Sequence, residues 1–157
     1  MPEVRKAMQS DLSSLLELFH LSEVSRSAEP RERAEEIWSE VLGQDNIAVF
    51  VSMMADKVFA TCTLITAPNL LRGGRRHGFM ENVVTHPDHR GKGHGRAVVG
   101  AALTEAWLRN CYHVLLQSGR PDPRVRRFYE QCGFKPELRI GYCALPPGSP
   151  PDGALNS

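Results

Sequence analysis

Residues 90–96 read Arg90-Gly91-Lys92-Gly93-His94-Gly95-Arg96, three glycines set between basic side chains. An apolar, strand-like run precedes them and an apolar, helix-like run follows. The first turn of a helix leaves four N–H groups without intrahelical partners, and the helix dipole favours an anion there. Glycine lets successive N–H groups converge with no Cβ in the way. Arg90, Lys92 and Arg96 add positive charge at the same place. These residues predict a phosphate or pyrophosphate site; the other reading is a glycine-rich turn with no ligand. The P-loop pattern fails because Lys92 is followed by Gly93, and the dinucleotide pattern fails because Arg96 and Val98 stand where it needs glycine.

Other clusters carry weaker signals. Residues 71–77, Leu71-Arg72-Gly73-Gly74-Arg75-Arg76-His77, form a basic loop, and guanidinium groups bind phosphate or phosphonate bidentately. Its other reading is a flexible basic loop. His86, His89 and His94 raise the question of a metal, but His94 lies in the glycine-rich stretch, His89 adjoins it and no metal is expected. The four cysteines, Cys62, Cys111, Cys132 and Cys143, show no CxxC spacing and read as free thiols in a reducing, cytoplasmic setting. The net charge is +1, yet between Arg72 and Arg127 the chain carries 11 basic and 4 acidic residues. That stretch is suited to an anionic partner or to a solvated face.

The elements that must position these residues follow from periodicity. Leu12, Leu15, Leu16 and Phe19 share a helix face, with Ser10 or Asp11 as its cap; Ala34, Ile37, Trp38 and Val41 repeat the spacing in a second helix, with Pro30 in its first turn. Ile47, Val49 and Val51 alternate as a strand, Ala55-Asp56-Lys57 is a turn, and residues 58–66 pair back as a hairpin. Residues 79–85 are a further strand. A helix after Gly95 buries Val98, Val99, Ala102, Leu103, Ala106 and Trp107. Residues 113–117 read as a short strand. A last helix is capped by Asp122, opened by Pro123 and stopped by Gly133. Residues from Phe134 and residues 139–145 read as closing strands. The expected fold is mixed α/β, one domain over 1–145, with a disordered tail over 146–157. A length of 157 residues with 41% hydrophobic residues fits one globular domain. No apolar run approaches the roughly 20 residues of a spanning helix, and no secretion signal is visible.

Arg90-x-x-Gly93-x-Gly95 resembles the acetyl-coenzyme A pyrophosphate loop of the GNAT N-acetyltransferase superfamily, whose pattern is Gln/Arg-x-x-Gly-x-Gly/Ala. Val83-Val84-Thr85-His86-Pro87 before it and Phe128-Tyr129-Glu130-Gln131-Cys132-Gly133-Phe134 after it resemble the family's flanking motifs. Glu81-Asn82-Val83-Val84 and Cys111-Tyr112-His113-Val114 are similar to glucosamine-6-phosphate N-acetyltransferases, whereas residues 117–122 depart from that group's acidic stretch. The resemblance spans residues 3–145 and implies a twisted, mostly antiparallel sheet of six to seven strands flanked by four helices.

Acetyl transfer to an amine requires a base, an oxyanion stabiliser and a proton donor to the thiolate. The resemblance implies Tyr129 as the donor, a phenol with reference pKa about 10; a core aromatic is the other reading. Glu81, the lone carboxylate of its strand, is the candidate base through water, or else an exposed strand residue. The resemblance further implies that Val83, Val84 and Thr85 pair with the pantetheine arm. It places the pyrophosphate on Arg90, Gly91, Lys92, Gly93, His94, Gly95 and Arg96, and sets Asp122 near the pantetheine or as a simple cap. Arg126 and Arg127 face either the adenosine phosphate or solvent. The expected partner is a small, anionic amine acceptor, with neither nucleic acid nor membrane, and a homodimer through residues 139–145 is open. Peptide acetylation and a non-catalytic acetyl-coenzyme A module are the competing readings.

Overall fold

Ile47, Val49 and Val51 alternate with Ala48, Phe50 and Ser52, so both faces of this segment are apolar enough to be covered. In a computed structural model that describes residues 2–150, both faces are covered. The chain divides into two units, Met1–Leu116 and Gln117–Ser157. The first holds strands β1 (Glu3–Lys6), β2 (Ile47–Met54), β3 (Lys57–Ala67) and β4 (His77–Thr85), and helices α1 (Leu12–Ser22), α2 (Arg31–Leu42) and α3 (His94–Leu108). The second holds α4 (Pro123–Gln131). The four strands form one antiparallel sheet in sequence order.

Side chains of a strand alternate between faces. Val49, Val51, Val58 and Val84 pack with Leu12, Leu15, Leu18 and Trp38 on the face covered by α1 and α2. On the opposite face Ser52 meets His94, and Cys62 Sγ donates to Val98 O, so α3 lies there. The hairpin between β2 and β3 turns through Ala55 and Asp56, both at positive φ (49° and 62°), as a two-residue turn of matching twist requires.

The expected sheet of six to seven strands is corrected to four. β1 was not expected: its four residues Glu3-Val4-Arg5-Lys6 show no apolar run, and pairing to β2 defines it. Residues 113–117 are not a strand. Residues 110–115 run parallel to β4 with isolated bridges at Arg76↔Cys111 and Phe79↔Leu115, and Met80 N donates to Leu115 O at 2.8 Å. This approach is close: a Cβ on Gly78 would stand 2.8 Å from His113 O. The closing strands at Phe134 and 139–145 are absent among the described residues. Leu138, Ile140 and Tyr142 are exposed, and among the described residues their unit supplies no strand edge to pair with. The segment invoked for homodimer pairing is therefore not a strand. Trp107, expected inside, is 53% exposed, because the buried stripe runs through Val98, Val99, Ala102 and Ala106 and leaves 107 at its margin. Of the expected disordered tail, residues 151–157 lie outside the described residues. No helix among the described residues is long and apolar enough to cross a membrane.

Asp11 does not cap α1 with its side chain. Its buried carboxylate accepts from Arg5 Nη1 and Nη2 (2.7 and 2.9 Å) and from Met8 N (2.7 Å). Beside it, Trp38 Nε1 donates to the carbonyls of Met8 and Gln9. The Arg5 hydrogen bonds hold the Asp11 carboxyl below the usual carboxylate range, against the opposing effect of burial. Such a group contributes stability that is complete above its unfolded pKa and is lost as pH falls through the folded value. Asp11→Ala is expected to lower unfolding free energy by about 2 kcal/mol in urea titrations at pH 7, with the deficit shrinking below about pH 4.

Candidate active site

β4 carries the residues that end at the glycine loop. Its register against β3 slips between Thr61 and Thr63: Thr61 faces Val84, and Thr63 faces Glu81. Two residues, Asn82 and Val83, thus stand opposite Cys62. Asn82 takes φ 51°, a left-handed conformation that asparagine tolerates better than most residues. A bulge of this kind bends a strand and re-aims its amides and side chains, and bulges recur beside active sites. Glu81 is exposed on this strand; Val84 is buried, and Val83 and Thr85 are partly so. β4 is the edge strand, and residues 110–115 bond to it only up to Met80 among the described residues of the unit. From Glu81 to Thr85 the edge continues past that partner, the geometry by which an extended, peptide-like ligand adds as a strand.

The turn Pro87–His89 joins β4 to the glycine loop, and Asp88 N donates to His86 Nδ1. Gly91 and Gly93 take φ 75° and 90°, where a side chain is strained, and a Cβ on either would touch nothing within 4 Å. The two glycines therefore serve the chain's path and leave the surrounding space open. Gly93 is the N-cap of α3 and has no side chain with which to close the helix end. The first intrahelical bond is Ala97 N to Gly93 O at 3.0 Å, so the amides of His94 and Gly95 precede the ladder. No acidic residue occupies this first turn, and Arg90, Lys92 and Arg96 are exposed around it. The arrangement is a positively charged backbone cradle of the kind that takes a phosphate or pyrophosphate. Gly95 and the His94 side chain are buried against the sheet instead of facing that cradle. Among the described residues no group of three His, Cys, Asp or Glu side chains is arranged to hold a metal.

The basic loop is less uniform than its sequence. Arg75 Nη2 donates to Cys111 O (2.8 Å), and Arg76 Nη2 donates to Thr66 Oγ1 (3.4 Å). Arg72 lies over the Tyr112 ring, 5.3 Å from its centroid, and stays exposed. Two of the three guanidinium groups thus brace the loop.

In the second unit, Asp122 Oδ1 accepts from Arg124 N (2.9 Å), which makes it the N-cap of α4, and both its oxygens receive the Arg124 guanidinium. That guanidinium holds the carboxyl below its ordinary range. Arg126 pairs with Glu130 (2.9 Å) and Glu137 (3.2 Å), whereas Arg127 is exposed. The helix ends in a Schellman motif: Phe134 N donates to Tyr129 O, and Gly133 N to Glu130 O, both at 3.0 Å, with Gly133 at φ 96°. Tyr129 is half-buried with Phe134 edge-on at 5.9 Å and Phe128 at 5.1 Å. Its motif thus has a local meaning, since the glycine stops the helix and the following phenylalanine packs on the tyrosine ring.

Sequence reasoning missed Asn82 and Ser52. Asn82 carries a faint signal, an asparagine inside a strand, which favours positive φ. Ser52, bonded to His94, carries none.

Residues 12–134 match the family model described as Acetyltransferase (GNAT) family. A glucosamine 6-phosphate N-acetyltransferase of Trypanosoma brucei brucei is 32% identical over 146 residues, covering 87% of this chain and 91% of the relative. One of Arabidopsis thaliana is 31% identical over 137 residues, covering 84% and 89%. A solved putative acetyltransferase from Agrobacterium tumefaciens superposes with TM-score 0.85 at 39% identity, over 92% of this chain and 99% of that one.

Burial, followed by Lys92 and His86, pushes the His89 imidazole down from its ordinary range; burial, followed by His89 and Lys92, does the same to His94. The unfolded chain then binds more protons than the fold just below the ordinary histidine pKa of about 6.5. Stability rises with pH across that window and is lost on acidification through it. The melting temperature is expected to fall between pH 7.5 and 5.5, and to fall less in His89→Gln, as calorimetry at matched ionic strength will show.

Proposed function

The chain belongs to the GNAT acetyltransferase family and is an acetyl-coenzyme A-dependent N-acetyltransferase; from that premise we propose that its acceptor is the primary amine of a small anionic molecule, an amino sugar phosphate of the glucosamine 6-phosphate type. The observation that carries the coenzyme half of this reading is the cradle at the start of α3. Open space at Gly91 and Gly93, amides ahead of the helix ladder and three exposed cations fit a pyrophosphate. Two relatives above 30% identity that bear the glucosamine 6-phosphate name, and the exposed Arg72 of a braced basic loop, support the acceptor half.

Each residue then has a stated task. The bound coenzyme supplies an activated acetyl thioester. The loop residues 90–96 bind and orient it through backbone amides and positive charge. Val83 and Thr85 pair with its extended arm along the edge of β4 beyond Met80. An amide at Val83 or Val84, re-aimed by the bulge, donates a hydrogen bond where negative charge develops on the acyl oxygen. Glu81 takes the proton of the acceptor ammonium through a water, a route its exposure leaves open. Tyr129 gives its phenolic proton to the departing thiolate. Asp122 sets the N-terminus of the helix that carries Tyr129.

Coenzyme A thiol release with glucosamine 6-phosphate tests the reading. Tyr129→Phe is expected to lower kcat by about 10²–10³-fold with KM for both substrates little changed. Arg72→Ala is expected to raise KM for glucosamine 6-phosphate about tenfold and leave KM for unphosphorylated glucosamine unchanged. Absence of turnover, while acetyl-coenzyme A still raises the melting temperature, overturns the acceptor and keeps the coenzyme; a peptide acceptor then becomes the reading to test.

A further inference from the structure

Three glycines give a loop freedom, and freedom costs affinity, because every residue fixed on binding loses backbone entropy. A loop held in its bound shape beforehand avoids that loss. The structure shows what holds this one. β2 and β3 slip register at a single point: Ser52 faces Ala60, the next pair is Met53 with Val58, and Phe59 has no partner. The extra residue turns the Phe59 ring to the α3 face, where His89 lies at 4.1 Å, His94 at 5.4 Å and His86 at 5.7 Å between ring centroids. Phe59 O also accepts from His86 N at 2.8 Å. The segment from His86 through the loop therefore meets one aromatic side chain at His86, at His89 and at His94. At the same bulge, the fully buried Ser52 places Oγ 2.8 Å from Nδ1 of the buried His94.

This pairing is not the cheapest way to fill the space. Two buried polar groups bonded to each other contribute about as much as a matched apolar pair, and the apolar pair needs no orientation. A serine–imidazole bond adds direction. It fixes the ring of residue 94, and through it the backbone of the first residue of α3. The loop alternates accordingly: His89 and His94 turn inward to the sheet, while Arg90, Lys92 and Arg96 turn outward.

We propose that Ser52 and Phe59, at the β2–β3 bulge, are positioning residues that hold His94 and His89 so that the loop has its anion-binding shape before the coenzyme arrives. The proposal rests on the reading that residues 90–96 take the coenzyme pyrophosphate. It assigns a task in coenzyme binding to two residues of β2 and β3 that lie outside the loop itself.

Titration calorimetry with coenzyme A and steady-state kinetics test it. Ser52→Ala and His94→Phe are each expected to weaken coenzyme A binding about tenfold and to raise KM for acetyl-coenzyme A similarly. In Ser52→Ala, kcat at saturating acetyl-coenzyme A and KM for the acceptor stay within about twofold. The double variant is expected to bind no more weakly than the worse single variant, because both remove one bond. His94→Asn, whose amide can reach Ser52, is expected to recover part of the affinity, and Phe59→Leu to repeat the loss with an apolar side chain kept. Variants that melt earlier but bind coenzyme A as tightly as the parent overturn the proposal. A parent protein that binds no coenzyme A overturns the coenzyme reading itself, and the proposal with it.

Discussion

The amides at the first turn of α3 have no place in the helix's own ladder, and much of the first unit is arranged so that they stay that way. A side-chain cap would consume them, and the N-cap is a glycine. An acidic residue in that turn would neutralise their field, and none is present. A loop path with φ of 75° and 90° brings the chain to them, which glycine permits at little cost. The sheet contributes by drawing the histidines inward, so that the backbone and the cations are left facing out.

Two register slips recur at the places where chemistry is assigned. The slip at Phe59 turns a ring onto the loop, and the slip at Asn82 re-aims the end of β4. Both involve β3, which pairs with β2 on one side and β4 on the other. Regular pairing would send Phe59 to the other face and keep the β4 amides in an unbroken ladder. An interruption of the sheet is thus the means by which a rigid scaffold presents groups at irregular angles. The second unit uses a helix end for a similar purpose, where the stop at Gly133 brings Phe134 against the ring of Tyr129.

Buried polar groups divide by what they do. Asp11 collects Arg5 and the Met8 amide and ties β1 to the start of α1, a structural task far along the chain from the loop. Ser52 and His94 join β2 to α3 at the loop itself. The cysteines follow the apolar core or the surface: burial pushes the Cys62 thiol up to about 12, so that it behaves as a small apolar side chain with a weak donor to Val98 O.

The sequence by itself determined the parts whose cause is local. Periodicity placed α1, α2, the β2–β3 hairpin, α3 and α4, because amphipathic spacing and turn chemistry act within a few residues. The glycine-rich stretch announced an anion cradle, because positive φ and orphan amides need only glycine and a helix start. Tertiary structure alone decided what depends on a partner strand. β1 exists because β2 offers an edge to a short polar segment. Residues 113–117 form a short apolar run and residues 139–145 read as a closing strand, but the first touches β4 only at isolated bridges and the second has no strand edge among the described residues of its own unit. The slips at Phe59 and Asn82, and the bond between Ser52 and His94 across 42 residues of chain, are equally invisible in the sequence. A side chain's period tells which face it takes only while the register is unbroken, and where the register breaks is settled by the neighbouring strand.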